Sequence, residues 1–431
     1  MKKYFYILVF AVLMGGLTSC NDWLDVSPKD RIPADKMFES ESGFKDILTG
    51  AYLKLGTANL YAGDMKYGYL DELAGLYCDY PGYNTNSVYN QAIVFDYTNQ
   101  FLSKKDNLYL EMYNVVANLN NLLQNIETHR DVLKTPHYYE CIKGEALGLR
   151  AFIYFDLLRL FGPIYSEHPT DAAIPYKTTY DKEPTPVLPA NQVVEKILED
   201  LKAAEALLKD NDPCDLHTAI DQRTDFLSNR EFRMNLYAVK AMMARVYCYS
   251  GQNDLAVQYA QEVINANKYF TLYKSQTASN YNSIRYGEQI FGLSVNQLNN
   301  TLISNSMDME NTSVQQRYGM TADMFTKVYE GITSDWRQNV VAFNWDESHQ
   351  YAFCLKYNQA PLADNSGADA IPLIRLPEMY YIIAECAANA ETSAEALNTV
   401  RLSRGIPYSD EIHTLGYDDK DVTSEENKQQ T

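Results

Sequence analysis

The chain has 431 residues and a formal net charge of −19. This length is enough for a sizeable core and for one large or two ordinary domains. The acidity argues against nucleic acid or anionic lipid as a binding partner, because like charges repel. Tyrosine is in excess, with 35 residues against 16 phenylalanines and 3 tryptophans. A phenol joins an apolar ring to a polar tip, so it suits helix packing and ligand contact alike.

The first residues have the pattern of a secretory signal. A basic head precedes an apolar run over residues 4–17, which is too short for a stable membrane span. The run ends at Leu17-Thr18-Ser19-Cys20, which resembles the bacterial lipobox, where the cysteine carries acyl chains. We therefore predict a lipoprotein signal peptide over residues 1–19 and lipidation of Cys20. Each buried methylene adds about 0.8 kcal/mol of membrane affinity, so several chains anchor stably.

The body of the chain is dominated by helical periodicity. Residues 107–128 carry apolar side chains at i, i+3, i+4 and i+7, which predicts an amphipathic helix. Residues 138–161 repeat this pattern and stop at Gly162-Pro163, a helix terminator. The two segments predict a helical pair. No second membrane span follows the signal, so the body of the chain is predicted to be water-soluble.

Two later segments resemble tetratricopeptide repeats. The first reads Met243-Ala244-x-x-Tyr247, then a turn, then Ala256-x-x-x-Ala260. The second, Ile383-Ala384-x-x-Ala387 followed by Ala396-x-x-x-Val400, keeps the same offset between its key alanines. We predict a mainly α fold in which four tetratricopeptide-like helix pairs, over about residues 107–405, form a superhelical scaffold.

Long irregular stretches are predicted between the helical units, at residues 56–100, 164–190 and 274–343. Loops of this length in a compact protein are more often functional than idle. Not every tyrosine falls in these stretches. Four lie on predicted helices and are assigned to the core: Tyr154, Tyr247, Tyr380 and Tyr381.

The loops rich in tyrosine and asparagine suggest a sugar site. Sugars present apolar C–H faces and rims of hydroxyl groups, which aromatic rings and amide or carboxylate groups recognise. The alternative is that these tyrosines only fix the loops to the helices. The predicted ligand contacts are Asp71, Tyr80, Tyr83, Asn84, Asn86, Tyr89, Tyr281 and Tyr286.

The sequence carries no catalytic, cofactor or metal-binding consensus. Asp71-Glu72 is compatible with acid and base roles on a glycoside, but a solvated or loop-capping role is favoured. Asp308-Met309-Glu310 is a weak candidate for calcium, without a loop consensus. We therefore predict no enzymatic activity and no cofactor, with calcium left open. After Cys20, the six remaining cysteines lack a disulfide-like spacing and are predicted to be buried and free, with a native disulfide left open.

Several segments, taken in order, resemble the SusD/RagB-like outer-membrane nutrient-binding lipoproteins of Bacteroidetes. Asn21 to Pro28 looks like the family's opening after the lipobox. The remaining blocks are Lys143 to Phe155 with Leu160-Phe161-Gly162-Pro163, Ala238 to Tyr247, and Pro372 to Tyr380 with Ala384-Glu385. Together they span nearly the whole chain after the signal.

The resemblance implies a surface lipoprotein that captures oligosaccharide or polysaccharide and delivers it to a SusC-like TonB-dependent transporter. It implies a single domain over residues 20–431 and outer-membrane localisation facing the exterior, with the helices toward the transporter and the loops forming the pocket. Some family members take peptide, so a RagB-type peptide binder is one alternative. A tetratricopeptide scaffold for protein partners is another, and a glycoside hydrolase is the least supported.

The end of the chain departs from the family pattern. Family chains usually continue past the Val400-Arg401-x-x-Arg404-Gly405 block into another helix and a closing segment. Here residues 418–431 are polar and carry no apolar stripe. We interpret this as a C-terminal truncation, which would remove a packing face from the last helices. The alternative is an acidic disordered tail on a short family member.

Overall fold

The structure is a computed structural model, and helices dominate it. It describes residues 36–66, 68–75, 77, 91–92, 94–214, 225–273, 284–296, 298, 319–338, 343–347, 350–354, 357 and 369–407. Within these ranges the helices are α1 (Glu41–Leu55), α2 (Tyr69–Leu73), α3 (Asn99–Thr128), α4 (Tyr138–Phe161), α5 (Ala190–Leu208), α6 (Leu236–Tyr249), α7 (Asn253–Ile264), α8 (Ala322–Val328), α9 (Leu376–Cys386) and α10 (Ala390–Ser403). The predicted mainly α class is confirmed.

The eight longer helices form a continuous array. Helix α1 packs on α3, α4 on α5, α6 on α7, and α9 on α10, which gives four helix pairs among the described residues. Contacts of α3 with α4, α5 with α6 and α7 with α9 join each pair to the next. An array whose units touch mainly their neighbours is typical of a helical repeat scaffold.

The sequence located some of these helices and missed others. Helix α4 has the predicted bounds, but α3 begins at Asn99, well before residue 107. Helices α1 and α5 were not predicted, and they supply the partners that complete the first two pairs. On α4, Gly144 lets α5 approach closely, because a Cβ atom there would lie 2.8 Å from Cγ of Leu208.

Short antiparallel strands occupy parts of the stretches that were predicted to be irregular, so that prediction is wrong in part. Strand β1 (Ala172–Pro175) pairs with β2 (Val187–Pro189), and β3 (Gln289–Ser294) pairs with β7 (Ala370–Arg375). A three-stranded sheet has the order β4 (Gly319–Thr321), β6 (Tyr351–Cys354), β5 (Phe343–Asp346). Strand β7 runs directly into α9, so the β3–β7 pair fixes the start of the last helix pair.

One large apolar core runs through the helix array. Tyr154 and Tyr247 are buried in it as predicted, and Tyr380 is half-buried. The assignment of Tyr381 to the core is wrong, because this side chain is 43% exposed on the outer face of α9. Among the described side chains, Cys141, Cys214, Cys248 and Cys386 form no disulfide; Cys248 is half-buried and the other three are buried. In the part of the chain that the structure describes, no helix combines the length and apolarity needed to cross a membrane.

Candidate functional site

Two of the predicted ligand contacts, Asp71 and Tyr286, lie in the described ranges. The remaining predicted functional residues fall outside those ranges: Cys20, Tyr80, Tyr83, Asn84, Asn86, Tyr89, Tyr281 and the calcium candidate at residues 308–310. Asp71 is half-buried on α2, and its neighbour Glu72 is buried.

Tyr286 makes contacts that fix its own segment to the scaffold. Its ring stacks on the ring of Phe232 with 6.0 Å between centroids, and its hydroxyl donates a hydrogen bond to Glu231. Burial raises the pKa of Tyr286 well above its ordinary value. These contacts account for a tyrosine at this position, and its contact with a ligand stays a prediction.

A charged cavity of about 300 Å³ adjoins α2. Its wall is built from the turn after α1, from α2, α4, α6 and α9, and from β7, so segments far apart in the sequence meet in it. Phe152, Asp156 and Arg159 line it from α4, where spacings of four and three residues place them on one face of the helix. The other charged side chains of the wall are Lys66, Arg245 and Glu378.

Four of the five charges in the cavity wall form ion pairs. Arg245 makes a bidentate contact with Glu378, with Nε 2.5 Å and a terminal nitrogen 2.7 Å from the two carboxylate oxygens. Asp156 is buried, accepts a hydrogen bond of 2.6 Å from the hydroxyl of Tyr61, and pairs with Arg159. Bidentate and charge-assisted hydrogen bonds of this kind hold side chains in fixed positions. The wall is therefore a rigid, preformed surface.

Lys66 is the fifth charge, and it differs from the others. The structure describes no hydrogen bond or ion pair of its ammonium group with any residue in the described ranges. Burial lowers the pKa of Lys66 to about 8, with further lowering by Arg245 and Arg375 and opposition from Glu378 and Asp71. The lowered pKa is that of a desolvated ammonium group close to two guanidinium groups.

A wider groove of about 930 Å³ shares Arg159 with the cavity. It lies where α4 ends and where α6 turns into α7, and Glu385 of α9 lines it from the other side. The rings of Tyr165 and Tyr249 meet in its wall with 5.2 Å between centroids. Aromatic rings beside a guanidinium, a carboxylate and serine hydroxyls offer both kinds of contact that a sugar uses.

Comparison with known proteins identifies the family. A family model described as SusD-like, starch-binding and associating with the outer membrane matches residues 22–248, which is more than half of the chain. The chain belongs to the SusD-like family. The resemblance drawn from the sequence blocks is thereby confirmed.

Individual SusD-like relatives are distant. The SusD-like proteins P38 and P2 of Formosa agariphila are 23% identical over 279 residues and 25% identical over 277 residues. These matches cover 62% and 63% of this chain but 47% and 48% of the relatives, so the chain matches about half of their length. What the whole protein binds and with what it assembles therefore remains a matter of proposal.

Solved structures show that the fold is shared across the described scaffold. A SusD superfamily protein from Bacteroides thetaiotaomicron superimposes with a TM-score of 0.65 at 19% identity, covering 90% of this chain and 86% of that one. A SusD-like carbohydrate binding protein from Bacteroides vulgatus gives 0.59 at 19% identity, covering 87% and 77%. Structural similarity at 19% sequence identity shows the fold of this SusD-like chain.

The charged cavity of this SusD-like chain was not foreseen from its sequence. Asp156 and Arg159 follow closely on the first family block, Arg245 lies in the second, and Glu378 lies in the third. The sequence signal for such a site is a charged residue on an otherwise apolar helix face. A folded protein buries such a charge only where a partner is present. Lys66 carried no such signal, since it stands in a polar, irregular segment.

Proposed function

We propose that this SusD-like protein binds oligosaccharide or polysaccharide nutrients at the outer membrane and passes them intact to a SusC-like TonB-dependent transporter. The observation that carries the proposal is the match to the starch-binding, outer-membrane family model, together with the SusD superfamily fold over about nine-tenths of the chain. The rings and polar groups of the groove supply suitable chemistry for sugar contact. The proposal includes no bond cleavage.

The place of binding in this proposal is the loop side of the scaffold, with the predicted tyrosine and asparagine contacts at residues 80–89. Acyl chains on Cys20 would hold the protein at the outer leaflet, with the residues that follow as a short tether. Two acyl chains anchor a protein stably, whereas one gives only reversible binding. A protein released from the membrane fraction by Cys20→Ala, with its sugar affinity unchanged, is the expected result for the anchor.

Calorimetric titration with a panel of intact oligosaccharides tests the binding proposal. We expect saturable binding of at least one oligosaccharide with no new reducing ends, because a delivery protein leaves its cargo whole. The triple change of Tyr80, Tyr83 and Tyr89 to Ala is expected to weaken binding at least about tenfold, since each lost ring contact is worth about 0.5–1.5 kcal/mol. New reducing ends in the product would contradict the proposal.

Exposed tyrosines elsewhere provide the matched control. Tyr180 and Tyr381 are 53% and 43% exposed, so their change to Ala removes exposed rings that do not belong to residues 80–89. Equal weakening by both sets would show a general effect on folding rather than loss of a binding platform. For the transporter, affinity capture from native outer membranes is expected to recover a TonB-dependent barrel, and capture without one would contradict this part.

A peptide ligand is the second candidate. The observation that favours it is the row of cationic groups in the cavity, which also suits a peptide carboxylate. Titration with acidic and neutral peptides in the same panel separates the two classes.

A further inference from the structure

The charged cavity contains one more cation than anion. Lys66, Arg159 and Arg245 face it against the carboxylates of Asp156 and Glu378, and both arginines are already paired with these carboxylates. The ammonium of Lys66 is therefore left over in a protein whose overall net charge is −19. A local positive excess inside an acidic protein attracts an anion.

Charges on every neighbouring element bear on this ammonium. Arg245 of α6 and Arg375 of β7 repel it, while Glu378 of α9 and Asp71 of α2 attract it, and Asp156 and Arg159 of α4 face the same cavity. The positive charge of Arg375 is only partly neutralised, because its partner Glu288 also pairs bidentately with Arg404. Two guanidinium groups thus share one carboxylate behind the cavity, which adds to the positive excess.

The size of the cavity limits what fits. About 300 Å³ is at the small end of ligand pockets and accommodates one substituted sugar ring rather than a chain. Tyr61 and Phe152 contribute rings to the wall, so an apolar sugar face has a surface to contact. Arg159 continues the polar lining into the wider groove, which leaves room for the rest of an oligosaccharide.

We propose that this cavity binds the carboxylate or sulfate group of an acidic sugar unit, with Lys66 as the counter-ion. The inference rests on the proposed function, and it names the class of glycan as anionic. Acidic sugars are favoured over acidic peptides because the cavity offers one excess cation at the end of a groove with paired tyrosine rings. A peptide carboxylate and an adventitious ion are the competing outcomes of the test.

Proton linkage gives the proposal a distinctive signature. Binding of an anion to the charged ammonium raises the pKa of Lys66 from its free value of about 8, so affinity is constant well below pH 8. Above pH 8 the free protein loses the proton that the complex keeps, and affinity falls by up to about tenfold per pH unit. Lys66→Arg keeps the charge and removes this titration.

The test is calorimetric titration with glucuronate, glucose, inorganic sulfate, and acidic and neutral oligosaccharides matched in backbone. We expect glucuronate and the acidic oligosaccharides to bind more tightly than their neutral counterparts at pH 7. Lys66→Gln should weaken the acidic ligands about 10- to 150-fold, the equivalent of the 1.5–3 kcal/mol of a charged hydrogen bond. Lys66→Arg should retain the affinity and show no decline between pH 8 and pH 10.

Lys202→Gln is the matched control, because it removes the same charge from an exposed site on α5. Equal affinities in Lys66→Gln and wild type, or equal affinities for glucuronate and glucose, would overturn the inference. Binding of inorganic sulfate but of no acidic sugar would mean an adventitious ion only, and a preference for acidic peptides would reassign the site to peptide. Each of these two results would also overturn the inference. Binding of neutral oligosaccharides without acidic preference would leave the proposed function standing, whereas glucuronate binding with no oligosaccharide binding would overturn that function instead.

Discussion

The charge state of Lys66 can be tested without any ligand, through the stability of the Lys66→Gln variant. The pKa of Lys66 is about 8 in the folded protein and 10.5 in an ordinary environment. Between these values the unfolded chain binds more protons than the folded protein, so the stability contributed by this site rises as pH rises. The charged lysine destabilises the fold at neutral pH, and the neutral lysine does not.

The two pKa values set the size of the effect. Integrating the linkage from pH 7 to pH 10 gives an upper limit of about 2.5 kcal/mol for the gain in free energy of unfolding at this site. Because Lys66 is only half-buried, solvent reduces this contribution, and we expect about 1 kcal/mol. Gln at this position has no titrating proton and contributes no such gain.

Urea denaturation of wild type and Lys66→Gln at pH 7, 8, 9 and 10 measures the difference between their free energies of unfolding. Other groups that titrate in this range are common to both, so the difference between the two free energies of unfolding isolates Lys66. We expect the free energy of unfolding of wild type to rise steadily above pH 8 relative to that of Lys66→Gln. The free energy of unfolding of Lys202→Gln should follow that of wild type at every pH. A pH-independent difference would refute the reasoning, because it would mean that the ammonium is solvated or already paired.

Two further predictions concern the scaffold. A Cβ atom on Gly43 would lie 1.6 Å from the backbone oxygen of Met37, whereas a Cβ on Gly50 of the same helix meets nothing within 4 Å. Gly43→Ala is therefore expected to lower the free energy of unfolding by at least about 1–3 kcal/mol, and Gly50→Ala to raise it by about 0.5–1 kcal/mol, in urea denaturation; equal effects would contradict the close contact. Glu145 is buried, pairs with the buried Arg230, and accepts a hydrogen bond of 2.7 Å from Tyr52. Glu145→Ala should cost about 3–5 kcal/mol by leaving a buried guanidinium short of a partner, and Glu145→Gln should cost less; a thermal melt of Glu145→Ala like that of wild type would contradict this.

Local chemistry determined much of the architecture. The apolar spacing of α4 and its Gly162-Pro163 terminator fixed both ends of that helix, since helical periodicity and helix termination depend on near neighbours in sequence. The family blocks and the repeat-like alanines were also sufficient to indicate the helix array and the family. Helix α5 has an equally clear apolar stripe, with Val193, Ile197, Leu201 and Ala204 buried, so its sequence also carries the local signal of an amphipathic helix.

Other features depended on contacts between distant parts of the chain. Helix α4 buries three charged side chains that each bind a residue far away in sequence: Glu145 binds Arg230, Arg150 binds Asp200, and Asp156 binds Tyr61, at separations of 85, 50 and 95 residues. Asp156 in addition pairs with the nearby Arg159. A charge on an apolar helix face indicates that a partner exists, because burial without one is too costly. It does not indicate which residue that partner is.

The charged cavity shows the same limit at the candidate site. Arg245 and Glu378 stand 133 residues apart and meet only because α6 and the start of α9 lie against each other in the array. Lys66 has an unremarkable sequence context, and its significance comes from what surrounds it after folding: paired arginines, a shared carboxylate and a wall that excludes much of the solvent. The sequence by itself determined α4, the repeat-like helices and the family, whereas only the tertiary structure decided which charged side chains pair with one another among the described residues, because electrostatic free energy depends on distance and burial in space.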